Sequence, residues 1–267
     1  MKKILVPTDF SPNADKALNF AVQIAKHSRG EIMLVHSTEA DLTPETEKLA
    51  AERLALLKTT IYENEVVNVS FKLYLETAEK AIQQAISDFN IDLIIMGTLG
   101  NAGIKEKIYG SKTSAVVGKS PVPVLVIPLL SDWKVPSKIL LAVNHFEEAA
   151  TMVEPVFMLA KLFNASVQVA VFTDMDDDYV EDYEEHEIKI AAFRDRMKIK
   201  YPGIEIHAVH LAGKHFDENL KNWIDRNNID MLVMLTHKRN LLESIFNRSM
   251  TRKMSYHTDI PMLAIPV

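Results

Sequence analysis

Gly97-Thr98-Leu99-Gly100 is followed, after a nine-residue spacer, by Gly110-Ser111. These residue types at this spacing suit a polyphosphate. Glycine lets backbone come close to phosphate oxygens and adopt φ > 0. A helix opening at Gly110-Ser111 aims free N–H groups and the positive end of its dipole at an anion. Ser111 and Thr113 add hydroxyl donors, and the spacer, residues 101–109, is long enough to pass over a nucleotide. A second candidate lies near the start of the chain, where Pro7-Thr8-Asp9 closes a short apolar run. Asp9 is either a ligand contact or a cap for the helix that begins near Ser11 or Pro12.

These groups meet only if strands and helices carry them to one edge. Short apolar or alternating runs at 4–7, 31–36, 67–75, 91–96 and 122–127 read as strands, most of them buried on both faces. Helical patterns fall between them. Ser11-Pro12 is an N-cap with proline at the first helical position, and Gly30 is expected to end that helix. Further helices are expected over 43–63, 77–89 and 111–119. Strands alternating with helices imply a parallel sheet with right-handed crossovers. Ligands of such sheets sit beyond the carboxyl ends of the strands, at the switch point. That rule points to Thr8-Asp9, to His36-Ser37 and to the loop after Met96.

The plan is written twice. Lys3-Ile4-Leu5-Val6-Pro7-Thr8-Asp9 aligns with Lys138-Ile139-Leu140-Leu141-Ala142-Val143-Asn144. Ile91-Asp92-Leu93-Ile94-Ile95-Met96 aligns with Ile229-Asp230-Met231-Leu232-Val233-Met234, and 122–128 with 260–266. Strands of the second copy are expected over 138–143, 166–172, 205–211, 230–235 and 260–265. Two domains follow, 1–130 and 137–267, joined by a linker at 131–137.

The motif G-x2-G-x9-G-[ST] between strands four and five resembles the ATP-binding signature of the universal stress protein family. Val6-Pro7-Thr8-Asp9 resembles that family's opening strand, and 121–128 its closing one. The likeness covers the whole chain as a tandem. It implies two Rossmann-like (HUP-type) α/β domains, each a five-stranded, mostly parallel sheet sandwiched by helices. It implies that ATP, with Mg²⁺, binds the first half. Asp9 would contact the ribose or adenine side, Pro7 and Thr8 would line the base, and His36 or Ser37 would sit near adenine. Gly97, Gly100, Gly110, Ser111 and Thr113 would hold the phosphates. Lys112 departs from the pattern, and it either reaches a phosphate or points to solvent. Glu76 stands where the family often has glycine.

In the second copy Gly97 becomes Leu235, Gly100 becomes Lys238, Gly110 becomes Arg248 and Asp9 becomes Asn144, while Ser249 and Thr251 survive. Long side chains at these positions fill the space phosphates need. The resemblance gives this half the role of pseudo-dimer partner, with residues 122–127 and 260–265 pairing inside the chain. The apolar character of those two strands, which can pair across an edge, adds the expectation of a homo-oligomer such as a dimer, with two chains associating through other faces.

Other signals carry less. Gly118-Lys119-Ser120 lacks the preceding glycine of a P-loop, since Thr113 stands there, and Pro121 follows instead of a helix. His207, His210 and His215 read as surface or turn residues, and His145-Phe146-Glu147-Glu148 as a helix start. The acidic stretch from Asp174 to Glu187 lacks EF-hand spacing. There is no cysteine, which excludes disulfides and thiolate sites. A net charge of -6 argues against a nucleic-acid partner, and no apolar run is long enough to span a membrane. A cytoplasmic protein is expected. Three functions fit: an ATP-binding stress-response module, a slow ATPase or nucleotide-dependent transferase, and a scaffold without nucleotide. No base or second-substrate site stands out to favour the enzyme.

Overall fold

The expected runs become strands, and helices cover both of their faces. The computed structural model describes residues 1–38, 43–98, 111–143, 146, 152–175, 179–236 and 259–267. Its chain divides into two compact units, Met1–Trp133 and Lys134–Val267.

The first unit runs β1 (Lys3–Pro7), α1 (Pro12–Ser28), β2 (Glu31–Ser37), α2 (Pro44–Glu65), β3 (Asn68–Tyr74), α3 (Ala78–Phe89), β4 (Leu93–Gly97), α4 (Ser111–Lys119) and β5 (Val124–Ile127). Its strands lie in the order β3-β2-β1-β4-β5, all parallel. The switch point therefore falls between β1 and β4. Ile4, Leu5 and Val6 of β1 and Leu93, Ile94 and Ile95 of β4 are fully buried. Helices α1 and α2 pack together, as do α3 and α4, and right-handed crossovers put the two pairs on opposite faces.

Local chemistry sets the helix limits. Ser11 Oγ accepts Ala14 N at 3.3 Å, with Pro12 at the first helical position. Thr43 and Thr77 cap α2 and α3 in the same way. Arg29, at φ 53, is the left-handed residue that ends α1, so Gly30 is not the terminator expected from the sequence. A Cβ at Gly30 would lie 3.0 Å from the Lys2 carbonyl oxygen, and that approach accounts for the glycine. Beyond β5, Trp133 packs edge-on against Phe20 of α1, with ring centroids 5.1 Å apart.

The second unit repeats the order with β6 (Lys138–Ala142), α5 (Glu154–Phe163), β7 (Ser166–Asp174), α6 (Tyr179–Lys200), β8 (Ile206–Gly213), α7 (Phe216–Asn227), β9 (Met231–Thr236) and β10 (Met262–Pro266). Its parallel strand order is β8-β7-β6-β9-β10. Trp223 of α7 donates its indole N–H to Gln168 Oε1 at 2.8 Å. Among the described residues no helix is long and apolar enough to cross a membrane.

The aligned Ile-Asp pairs do not open strands. Asp92 precedes β4, and its Oδ2 accepts Lys2 N at 2.6 Å and Lys3 N at 3.0 Å. Asp230 precedes β9, and its Oδ2 accepts Ser137 N at 2.7 Å, Ser137 Oγ at 2.7 Å and Lys138 N at 3.0 Å. Each aspartate N–H returns the bond to the same neighbouring strand, at Lys3 O and Lys138 O. The carboxylates thus set where β1 and β6 begin. Asp230 is the more buried and also pairs with Lys134 Nζ at 2.5 Å. Burial pushes its carboxyl pKa up, but the Lys134 ammonium, the Ser137 hydroxyl and two backbone N–H donors outweigh that and hold it below the usual value. Its contribution is present above about pH 4 and is lost on acidification.

Asp230→Ala should destabilise the protein by about 3 kcal/mol, because buried donors lose their acceptor. Asp92→Ala, at an exposed site, should cost about 1 kcal/mol. Urea unfolding followed by circular dichroism checks both, and equal losses would contradict the ranking.

Candidate functional site

The first unit opens a cleft at its switch point, with about 740 Å³ of space including open solvent. Pro7, Thr8 and Asp9 reach it from the end of β1, Val35 and Ser37 from β2, and Met96 and Gly97 from β4. Ser11, Asn13 and Ala14 line it from the start of α1, Ala78 and Ile82 from α3, and Thr113 and Val116 from α4. Val35, Ile82, Met96 and Val116 form an apolar wall that suits a flat ring, while Asp9 and Ser37 place polar groups beside it.

The loop from Thr8 to Ser11 is tied to itself. Thr8 N donates to Val35 O at 2.8 Å, continuing the β1–β2 ladder by one residue. Thr8 Oγ1 accepts Phe10 N at 3.0 Å, and Asp9 Oδ1 accepts Ser11 N at 3.0 Å. Ser11, not Asp9, caps α1. Asp9 is exposed at the mouth of the cleft. Phe10 takes φ 60, a conformation that costs a bulky residue about 1–3 kcal/mol.

The His36-or-Ser37 alternative separates by strand alternation. Ser37 lines the cleft beside Val35, and His36 points to the other face of the sheet. His36 Nδ1 lies 2.7 Å from Thr8 O, so that nitrogen carries the hydrogen and donates. His36 thus supports the loop from behind.

Gly97 is glycine because of its neighbour, and it does not have a positive φ. A Cβ there would lie 2.4 Å from the Asn13 carbonyl oxygen and 2.8 Å from its carbon. Thr113 is buried and donates its hydroxyl hydrogen to Gly97 O at 3.2 Å, so it fastens α4 to β4 rather than standing free as a donor. Asn13 Oδ1, in the cleft lining, and Thr98 Oγ1, one residue past β4, are buried without a hydrogen-bond partner among the described residues. Such orphaned atoms beside a cradle closed to any Cβ fit a ligand that brings its own donors and acceptors. Gly100 and Gly110 lie outside the described residues, as do the side chains of Ser111 and Lys112. Lys119 ends α4 and pairs with Glu79, in keeping with the rejected P-loop. Among the described residues no group of three or more His, Cys, Asp or Glu could hold a metal. A Mg²⁺ at this site would depend on one carboxylate, Asp9, together with nucleotide phosphates.

In the second unit Leu235 is buried at the position matching Gly97. Asn144, Lys238, Arg239, Arg248, Ser249 and Thr251 lie outside the described residues. The histidines are not all superficial. His207 is exposed and pairs with Glu205 at 3.0 Å. His210 is partly buried, its Nε2 lying 2.8 Å from Thr173 Oγ1, and His186 Nδ1 lies 2.7 Å from the same oxygen. One hydroxyl hydrogen serves one ring only, so Thr173 donates to one imidazole and accepts from the other. Tyr183 stacks on His210 with ring centroids 4.0 Å apart. His186 and Thr173 lie too far from His210 in sequence to flag the cluster.

Two parallel α/β units in tandem, one with a cleft at its switch point, define a duplicated Rossmann-like protein. The sequence pattern of the universal stress protein family matches residues 1–128 and again 136–266, and the chain belongs to that family. A universal stress protein of Methanocaldococcus jannaschii is 30% identical over 152 residues, covering 47% of this chain and 94% of the relative. A universal stress protein of Archaeoglobus fulgidus has the same fold over 98% of this chain and 97% of its own, with a TM-score of 0.77 at 18% identity. One from Pseudomonas aeruginosa covers 100% of this chain and 93% of its own, with a TM-score of 0.72 at 17% identity.

Two outcomes follow from this geometry. Gly97→Ala should destabilise the protein by about 2 kcal/mol, because β4 or the first turn of α1 must shift. A thermal midpoint matching wild type would contradict the close approach. The second concerns acid. Burial, then the neighbouring His186, hold His210 below its ordinary pKa of 6.5, with Glu187 opposing. The unfolded chain therefore takes up a proton that the folded one resists, and stability falls as pH drops below about 6.5. His210→Gln should flatten the decline in thermal midpoint between about pH 7 and 5. A slope equal to wild type would remove His210 from that account.

Proposed function

We propose that the first unit binds ATP with Mg²⁺ as part of a stress-response role, and that the second half serves as its intrachain partner without a nucleotide site of its own. The observation that carries this reading is convergence. Pro7, Thr8, Asp9, Ser37, Gly97 and Thr113, singled out in the sequence for a nucleotide, all line one cleft at the switch point. The adenine ring fits the apolar wall of Val35, Ile82, Met96 and Val116, next to Pro7 and Thr8. Asp9 accepts hydrogen bonds from ribose hydroxyls, and Ser37 stands near the base. The phosphates run past Gly97 toward the start of α4, where Gly100, Gly110, Ser111 and Lys112 fall in the sequence. Mg²⁺ is held chiefly by phosphate oxygens, with Asp9 within reach.

Calorimetric titration with ATP and Mg²⁺ should show one site per chain. Asp9→Ala should weaken binding at least about tenfold, the size of a lost charged hydrogen bond, while the free protein stays folded with only a small drop in thermal midpoint from the lost Ser11 N bond. No binding by the wild type would overturn the nucleotide reading, and two sites per chain would overturn the assignment to one half.

A further inference from the structure

Six described non-glycine residues have positive φ. Arg29, Val66, Asn90, Asn164 and Asn228 are left-handed residues that end helices. Phe10 ends none. It lies between β1 and α1, in the loop that carries Thr8 and Asp9 to the cleft. A bulky side chain keeps such a conformation only where its surroundings over-determine it, and such outliers gather at ligand clamps and switch segments.

The surroundings of Phe10 come from three elements. Its N–H is held by Thr8 Oγ1 at 3.0 Å. Its ring lies 4.6 Å from the ring of His36 on β2, whose Nδ1 also holds Thr8 O at 2.7 Å. The guanidinium carbon of Arg53, on α2, lies 4.4 Å from the centroid of the Phe10 ring. The ring is thus gripped by β2 and α2 on the sheet face opposite Ser37. Arg53 is exposed. Its contact with Phe10 links α2 to the loop that carries Asp9.

We propose that Phe10, clamped by His36 and Arg53, is the positioning residue that holds Asp9 at the nucleotide site, and that the clamp makes the order of α2 depend on whether the cleft is filled. This rests on the ATP reading above. A ligand that holds Asp9 stabilises the loop with its ring seated, and the seated ring holds Arg53. Linkage makes the effect reciprocal, so a clamp that favours the seated ring also tightens the ligand.

The test uses the full chain with ATP and Mg²⁺, calorimetry for affinity and hydrogen exchange for α2. Phe10→Gly adopts φ 60 without strain and removes the ring. It should bind ATP about tenfold more weakly than wild type, close to Phe10→Ala and well below Phe10→Tyr, which keeps the ring. Arg53→Ala should weaken binding about threefold, the scale of an exposed cation–π contact, with an unchanged thermal midpoint, and Arg53→Lys should recover part of the loss. In the wild type ATP should slow amide exchange across 44–65, and that response should vanish in Phe10→Gly. If Phe10→Gly unfolds, the Arg53 pair, whose side chain is exposed, gives the answer. Wild-type affinity in Phe10→Gly and Arg53→Ala, or exchange in α2 that ignores ATP, overturns the clamp, while weak binding by Asp9→Ala alone leaves the ATP reading standing. A wild type that binds no ATP overturns both.

Discussion

The end of β4 and the first turn of α1 meet backbone to backbone, and only a residue without a Cβ can stand between them. Gly97 is that residue, with the Asn13 carbonyl on its Cα side. The approach seats the start of α1 beside the switch point, so that Ser11, Asn13 and Ala14 form one wall of the cleft and Met96 part of another. Thr113 then returns its hydroxyl to the Gly97 carbonyl and registers α4 on the same spot. Three elements are aligned on one position. In the second unit Leu235 occupies the matching place and is buried, and its Cβ forbids the same approach of helix to strand. The loss of one glycine therefore removes a whole backbone geometry.

What the two halves keep is found at the opposite edge of the sheet. Asp92 and Asp230 make the same reciprocal pairing with the first residue of the central strand, Lys3 or Lys138. The second copy elaborates it, with a buried carboxylate that also takes Ser137 and Lys134. Anchors at the amino edge serve the fold, and both copies retain them. The carboxyl edge is where the copies differ. Thr38, just past β2, and Thr173, near the end of β7, occupy matching places, yet only Thr173 is joined to two imidazoles.

The architecture was legible because both periods were clean. Buried runs such as Ile4-Leu5-Val6 and the cap Ser11-Pro12 are local signals, and the repeat supplied a second reading of the runs. The site was legible by residue type and less so by facing. In β2 both faces are covered by helices, so the run Ile32-Met33-Leu34-Val35 carries no alternation that would tell His36 from Ser37. Gly30 reads as a helix stop and Gly97 as part of a phosphate loop, whereas both are required by close approach of protein backbone, a tertiary fact with no sequence period. Ile91-Asp92 and Asp230 read as strand starts because apolar runs follow them at once, and nothing local reveals that the carboxylate bonds to the neighbouring strand. Arg53 gave no signal at all, since its partner Phe10 is distant in the chain and the helix that carries Arg53 is mostly exposed.

The chain has two tryptophans, and the fold assigns one to each unit. Trp133 rests against Phe20, with the His27 ring 6.4 Å away, while Trp223 is hydrogen-bonded to Gln168 and partly buried. Each half therefore carries its own intrinsic fluorophore in a distinct environment. Replacing either one with phenylalanine leaves an emission spectrum that belongs to a single half. The loss of order in the half with the cleft can then be recorded apart from that in its degenerate copy, without any added label.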